Sequence, residues 1–233
     1  RVPYGGRSPE ILLKYARQDV HFLRSFDIKA ILVACGTVST TCLPVLRQEN
    51  DLPILGVVEP ACRRAVAVSK TRHVGLIATA ASVRSGTYEQ IIHALDPDVT
   101  VTARACPLFV PLVENGFLGE DDPIPRLTAE RYLAPLMEAG VDVLILGCTH
   151  YPLLEPVIRR VMGEGVKLID SGRETALECR RFLLAHNLAA PQGAESSRRF
   201  YVSDRTEGFA GIAEILLGEN LEGQVERIDI ERY

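Results

Sequence analysis

The chain has 233 residues, 47% hydrophobic and 24% charged, with 26 basic residues against 30 acidic ones, no Trp and six cysteines. A net charge of −4 with both signs interspersed excludes the electrostatic footprint of a nucleic-acid binder, and no run is long and apolar enough to be read as a membrane span. The opening residues lack the basic, apolar and small-residue order of a secretory leader, so the expected location is the cytoplasm, where the cysteines stay free thiols.

Hydrophobic patterning alternates between helix and strand periods nearly throughout, which predicts an α/β fold with largely parallel sheets. The first helix is predicted over residues 8–26, opened by Ser8 and by Pro9 in its first turn. A strand over 28–34, a helix over 39–48 and a strand over 54–58 follow. After Glu59-Pro60 a helix runs to 69 and leads to a strand over 73–78. Further strands are predicted over 99–103, 141–146, 166–169, 199–202 and 225–228. Between them lie helices over 82–95, 107–114, 128–139, 155–161, 174–186 and 206–217. The stretch 116–126, rich in Gly, Pro and Asp, reads as a surface loop, and 189–197 as a polar break. Arg198-Arg199 reads as a solvated strand entry, since short charge runs are usually solvated faces.

Two cysteine segments echo each other: Val33-Ala34-Cys35-Gly36-Thr37-Val38-Ser39 and Leu146-Gly147-Cys148-Thr149-His150-Tyr151-Pro152. Each cysteine follows an apolar, branched run and precedes small hydroxyl residues. That pattern places it at the carboxyl end of a buried strand, where open α/β sheets bind their ligands. Two thiols at equivalent points suggest an acid/base pair flanking one stereocentre, and an unperturbed thiol pKa of about 8.5 suits that work. For any single cysteine the competing reading is a small buried hydrophobe. Cys42, Cys62, Cys106 and Cys179 take that reading, being scattered, without a Cys-x-x-Cys pair and without a His placed to complete a zinc site.

With these segments in this order, the chain resembles the glutamate racemases, cofactor-independent members of the aspartate/glutamate racemase superfamily. The other matching stretches are Val2-Pro3-Tyr4-Gly5-Gly6-Arg7-Ser8, Gly56-Val57-Val58-Glu59-Pro60-Ala61, Ala105-Cys106-Pro107-Leu108-Phe109-Val110-Pro111-Leu112-Val113-Glu114 and Asp170-Ser171. The resemblance implies two pseudo-symmetric, doubly wound α/β domains with parallel sheets and an active site between them. Residues 1–59 with 171–233 would form one domain and 60–170 the other. It implies interconversion of L- and D-glutamate, with no cofactor or metal, to supply D-glutamate for peptidoglycan synthesis.

In that scheme Cys35 and Cys148 exchange protons with opposite faces of the α-carbon. His150 assists proton transfer at Cys148 or orients the ammonium group, and Glu114 pairs with His150 or Cys148. Tyr4, Gly5, Gly36, Thr37 and Thr149 line the substrate. From the residues alone, a loop histidine, a solvated glutamate and an ordinary turn at Tyr4-Gly5 remain open. The implied partners are free glutamate and a second copy of the chain, with no nucleic acid and no membrane.

Two departures stand out. The family opens with a strand carrying an Asp-Ser-Gly-x-Gly-Gly loop, a helix and a second strand before the Tyr-Gly segment, whereas this chain begins at Arg1, directly before that segment. The expectation is a fragment of a longer enzyme. Gly36 stands where the family usually has Asn, which removes a polar contact and leaves a bare backbone that permits close approach. Two other readings compete: an aspartate-type, hydantoin or maleate enzyme of the superfamily, and a non-catalytic amino-acid-binding protein.

Overall fold

The structure is a computed structural model that describes residues 4–221 and 223–233; Val2 and Pro3 of the first motif lie outside the described residues. Helix α1 (Pro9–Leu23) starts where Ser8 accepts the Ile11 amide and Pro9 takes the first turn. Strand β1 (Ile31–Val33), the short helices α2 (Gly36–Thr41) and α3 (Leu43–Glu49), and strand β2 (Ile54–Gly56) follow. Then come α4 (Val58–Val68), β3 (His73–Ala78), α5 (Ala80–Ser85), α6 (Thr87–Leu95), β4 (Thr100–Ala105), α7 (Phe109–Glu114), α8 (Pro123–Glu138) and β5 (Val143–Leu146). The chain closes with α9 (Glu155–Met162), β6 (Lys167–Asp170), α10 (Ser171–Ala185), β7 (Phe200–Val202), α11 (Thr206–Leu217) and β8 (Val225–Arg227).

The described strands form three sheets, all parallel, as the alternating pattern predicts. The largest has the order β4-β3-β5-β6, with Ala78 beside Ala105, Ile77 beside Leu146 and Leu146 beside Asp170. All four strands finish at one edge, so the segments that leave them gather there. Strand β5 is buried along its whole length, as a parallel strand covered on both faces must be. Leu144 and Leu146 feed a core with Phe109, Tyr132 and Tyr151, whereas Val143 and Ile145 feed one with Tyr88 and Ile92.

Strands β1 and β2 pair with Val33 beside Gly56, over a third core of Leu12, Ile31, Leu43, Leu46 and Ile54. The C-terminal segment returns to this unit. Phe22 of α1 meets Phe26, Tyr201 and Tyr233 edge-on, Gln18 donates to Glu231, and Lys29 donates to the Leu188 carbonyl. Among the described residues, no helix is long and apolar enough to cross a membrane.

Several boundaries differ from the sequence reading, each for a local reason. The helix expected over 39–48 is two, parted at Cys42, with Pro44 in the first turn of α3. The helix expected over 82–95 breaks at Gly86, whose φ of 65° is left-handed and ends α5 before α6 begins. The loop expected over 116–126 gives way to α8 at Pro123, because Asp122 accepts the Ile124 amide and Pro123 suits the first turn. The strand expected to 58 stops at Gly56, and Val58 already belongs to α4. Helix α10 begins at Ser171, three residues early, capped by Asp170 through the Gly172 and Arg173 amides.

Candidate active site

Cys35 stands between the end of β1 and the start of α2, with extended backbone (φ −92°, ψ 122°). Burial pushes its thiol pKa up, while the Val38 and Thr37 amides and the Thr37 side chain pull it back. The loop is tied down by hydroxyls. Buried Thr37 shares a 2.9 Å hydrogen bond with Thr79, which donates to Ser82 at 3.0 Å. Thr40 donates to Ser82 at 3.5 Å, and Thr87 donates to the Thr40 carbonyl at 3.0 Å. A line of short hydroxyl side chains thus joins α2 to α5 and α6.

Cys148 leaves β5 in the same way, two residues past the strand, but its loop is fixed from the backbone. The Gly147 amide donates to the Ile77 carbonyl at 2.8 Å, and the Ser171 hydroxyl donates to the Leu146 carbonyl at 2.8 Å. Beyond the cysteine comes a single 3-10 turn, Tyr151–Leu154, before α9. Burial pushes the Cys148 thiol up to about 11; the His150 amide and Thr149 side chain oppose the shift, and the charges of Cys35 and Glu114 add to it.

His150 places Nδ1 3.8 Å from Cys148 Sγ and Nε2 3.0 Å from Glu114 Oε1. A proton on Nε2 donates to the Glu114 carboxylate, which leaves Nδ1 as an acceptor facing the thiol. A carboxylate, an imidazole and a sulfur in that order are the parts of an activated nucleophile or base. Exposed Thr149 brings its hydroxyl within 3.3 Å of the same Nδ1.

The two loops meet. Ionisation of Cys35 raises the Cys148 pKa, so the thiols lie within electrostatic reach of each other. Gly36 abuts the Cys148 loop: a Cβ built on it would stand 2.5 Å from the Gly147 carbonyl oxygen. Gly5 packs on Thr79, where a Cβ would meet the Thr79 Cβ at 3.0 Å, and Tyr4 lies beside Tyr15. Gly5 and Thr37 therefore converge on Thr79, while Tyr4 turns to Tyr15.

Thr79 and Ser82 were not picked out from the sequence, although Thr79 follows the apolar strand β3 as directly as the two cysteines follow theirs. The carboxyl-end rule alone marks it. Cys42, Cys62 and Cys106 are buried, with Cys106 pushed up to about 12 chiefly by burial. Cys179, expected in the core, is only half-buried on α10. All six cysteines are free.

A parallel sheet whose strands end at one edge, with two cysteine loops meeting there, gives an α/β fold with a candidate site of the racemase class. The chain belongs to the Asp/Glu/hydantoin racemase family, whose model matches residues 6–179. Within that family it is 44% identical to the glutamate racemase of Geobacter metallireducens over 231 residues, 99% of this chain and 84% of the relative. Two solved structures align over all of it. The glutamate racemase of Francisella tularensis in complex with D-glutamate matches with a TM-score of 0.91 at 30% identity, over 86% of its length. The glutamate racemase of Thermus thermophilus in complex with beta-chloro-D-alanine matches with a TM-score of 0.87 at 42% identity, over 85% of its length.

Proposed function

We propose that the protein interconverts L- and D-glutamate by two-thiol proton transfer and so supplies D-glutamate for peptidoglycan synthesis. The observation that carries this reading is the meeting of the Cys35 and Cys148 loops, where Gly36, directly after one cysteine, abuts the carbonyl of Gly147, directly before the other. It sits in a chain 44% identical to a glutamate racemase.

One cysteine, as thiolate, removes the α-proton while the other, as thiol, delivers a proton to the opposite face; the reverse reaction exchanges their roles. Burial serves this chemistry because a thiol held near 11 gives a more basic thiolate than one at about 8.5. His150, held by Glu114, takes the Cys148 proton on Nδ1 and returns it. On the Cys35 side the amides of Thr37 and Val38 favour the thiolate. Tyr4, Gly5, Thr37 and Thr149 are the candidates to hold the two carboxylates, through hydroxyls and backbone N–H groups.

The domain division goes with this reading: residues 1–59 and 171–233 on one side of the cleft, 60–170 on the other. The four-stranded sheet, drawn from residues 73–170, supports it, as does the packing of the C-terminal segment on α1. A cytoplasmic location and a homodimer complete the proposal.

The test is incubation with L-glutamate in deuterium oxide, following optical rotation together with deuterium at the α-carbon. Loss of rotation with one deuterium incorporated per inversion is expected. Binding without exchange overturns the proposal, and turnover of L-aspartate in place of glutamate reassigns the substrate.

A further inference from the structure

Gly36 opens α2 directly after Cys35, and Gly147 directly precedes Cys148. The point a Gly36 Cβ would occupy lies 2.5 Å from the Gly147 carbonyl oxygen and 3.8 Å from the Tyr88 hydroxyl. The first distance is an overlap with backbone, which no side-chain rotation relieves. Gly147 cannot retreat, since its amide is bonded to the Ile77 carbonyl at 2.8 Å. A Cβ of its own would lie 2.8 Å from that same Ile77 oxygen and 3.1 Å from the Ala78 Cβ.

Helix α2 is equally constrained, by Thr37 bonded to Thr79 and Thr40 bonded to Ser82. Behind Gly36 stands Tyr88, fully buried. Two bare backbones therefore meet, one directly after Cys35 and one directly before Cys148, each held in place by hydrogen bonds.

We propose that Gly36 is a positioning residue: its bare backbone rests on the Gly147 carbonyl, and that contact sets the separation of the Cys35 and Cys148 sulfurs. The inference rests on the two-thiol reading above and gives Gly36 a different part from a substrate contact. A residue that spaces the sulfurs governs proton transfer, because both must reach one carbon in line. A residue that touches substrate in ground and transition state alike governs affinity. An added side chain at 36 pushes the Cys35 loop away from a Cys148 loop that is bonded into the sheet.

The experiment compares the wild-type chain with Gly36→Ala and Gly36→Asn. Each substitution is expected to lower kcat for glutamate by at least about tenfold, as small misplacements of reacting groups do, while KM stays within about twofold. Asparagine, able to make a polar contact, should do no better than alanine. A lower KM with kcat retained in Gly36→Asn overturns the proposal, because it marks a missing substrate contact instead.

A second readout needs no turnover: the pH midpoint of Cys148 alkylation by iodoacetamide, followed by peptide mass. In the wild-type background Cys35→Ser should lower that midpoint by removing a neighbouring charge. In the Gly36→Ala background the drop should shrink by half or more. Equal drops in the two backgrounds overturn the proposal. So does the lack of any drop in wild type, a result that stands even if Gly36→Ala does not fold. A wild-type chain that leaves L-glutamate unchanged refutes the racemase reading, while the thiol titrations still judge the spacing.

Discussion

The Cys35 and Cys148 loops occupy equivalent places at the ends of parallel strands, yet they are built by different means. Around Cys35 the chain supplies amides and a line of hydroxyls, Thr37, Thr79, Ser82 and Thr40, and among the described residues no imidazole partners its thiol. Around Cys148 it supplies a backbone bonded into β3 and a side-chain relay from Glu114 through His150 to the sulfur. In the proposed mechanism, two halves that look alike in sequence divide the labour: one thiol is tuned by fixed dipoles, the other by a group that can itself carry a proton. Fixed dipoles cost no reorganisation at the moment of reaction. A relay lets a buried thiol lose its proton without water.

The sharpest way to break the comparison is to remove either sulfur. Cys35→Ala and Cys148→Ala should each lower racemisation by about a thousandfold or more, since neither face alone can complete inversion. Residual exchange of the α-proton from one enantiomer should survive in each. Full racemase activity in either variant, in an optical-rotation assay, would end the two-base account.

Next in size is the relay. His150→Asn should cost about 10²-fold in kcat/KM, the usual worth of a positioned general base, and Glu114→Gln less, because it leaves the imidazole in place. Racemisation has an equilibrium constant of one, so kcat/KM must fall equally from both enantiomers. The asymmetry appears instead in the isotope effect: α-deuterated substrate should slow more in the direction in which Cys148 abstracts. Equal isotope effects in both directions would mean that the relay serves the two thiols alike.

The pH response follows from burial. A Cys148 thiol at about 11 is seldom ionised at neutral pH, so kcat/KM should rise with pH from 7 to 9. A flat profile would show that the pair is already singly ionised. Stability moves the other way. Cys106 is held protonated in the folded chain up to about 12, whereas an unfolded thiol ionises at about 8.5. Its contribution is fully present below the unfolded value and is lost as pH rises toward the folded one. By pH 10 the loss amounts to about 2 kcal/mol. Urea midpoints should fall between pH 8.5 and 10, and less so in Cys106→Ala.

The smallest effect expected is at the hydroxyl line. Thr79→Ala removes the partner of Thr37 and of Ser82 and should cost about 1 kcal/mol of stability, read in the same urea titration. A cost near zero would mean that the Cys35 loop is held by packing alone.

Much of this was legible in the chain. Strand β3 and helix α11 fall where periodicity places them, at His73–Ala78 and Thr206–Leu217. Cys35 and Cys148 were marked by the apolar run before each and the hydroxyls after. The breaks at Cys42 and Gly86 are not legible in the pattern, because a continuous apolar period hides a helix boundary that a Pro in the first turn or a left-handed glycine imposes. Thr79 carries only the general mark of following a buried strand, and its part in the site shows where its hydroxyl meets that of Thr37, 42 residues earlier.

The sequence by itself determined the α/β class, the parallel strands and the two thiol loops, since these follow from patterns local to a strand and the helix after it. Tertiary structure alone decided that Glu114 reaches His150, 36 residues away, and that Gly36 rests on the Gly147 carbonyl. Those contacts join segments that no local period connects. Glu114 reaches His150 because parallel strands of the four-stranded sheet end at one edge, and Gly36 reaches Gly147 because the separate two-stranded sheet brings the loop after β1 to the loop after β5.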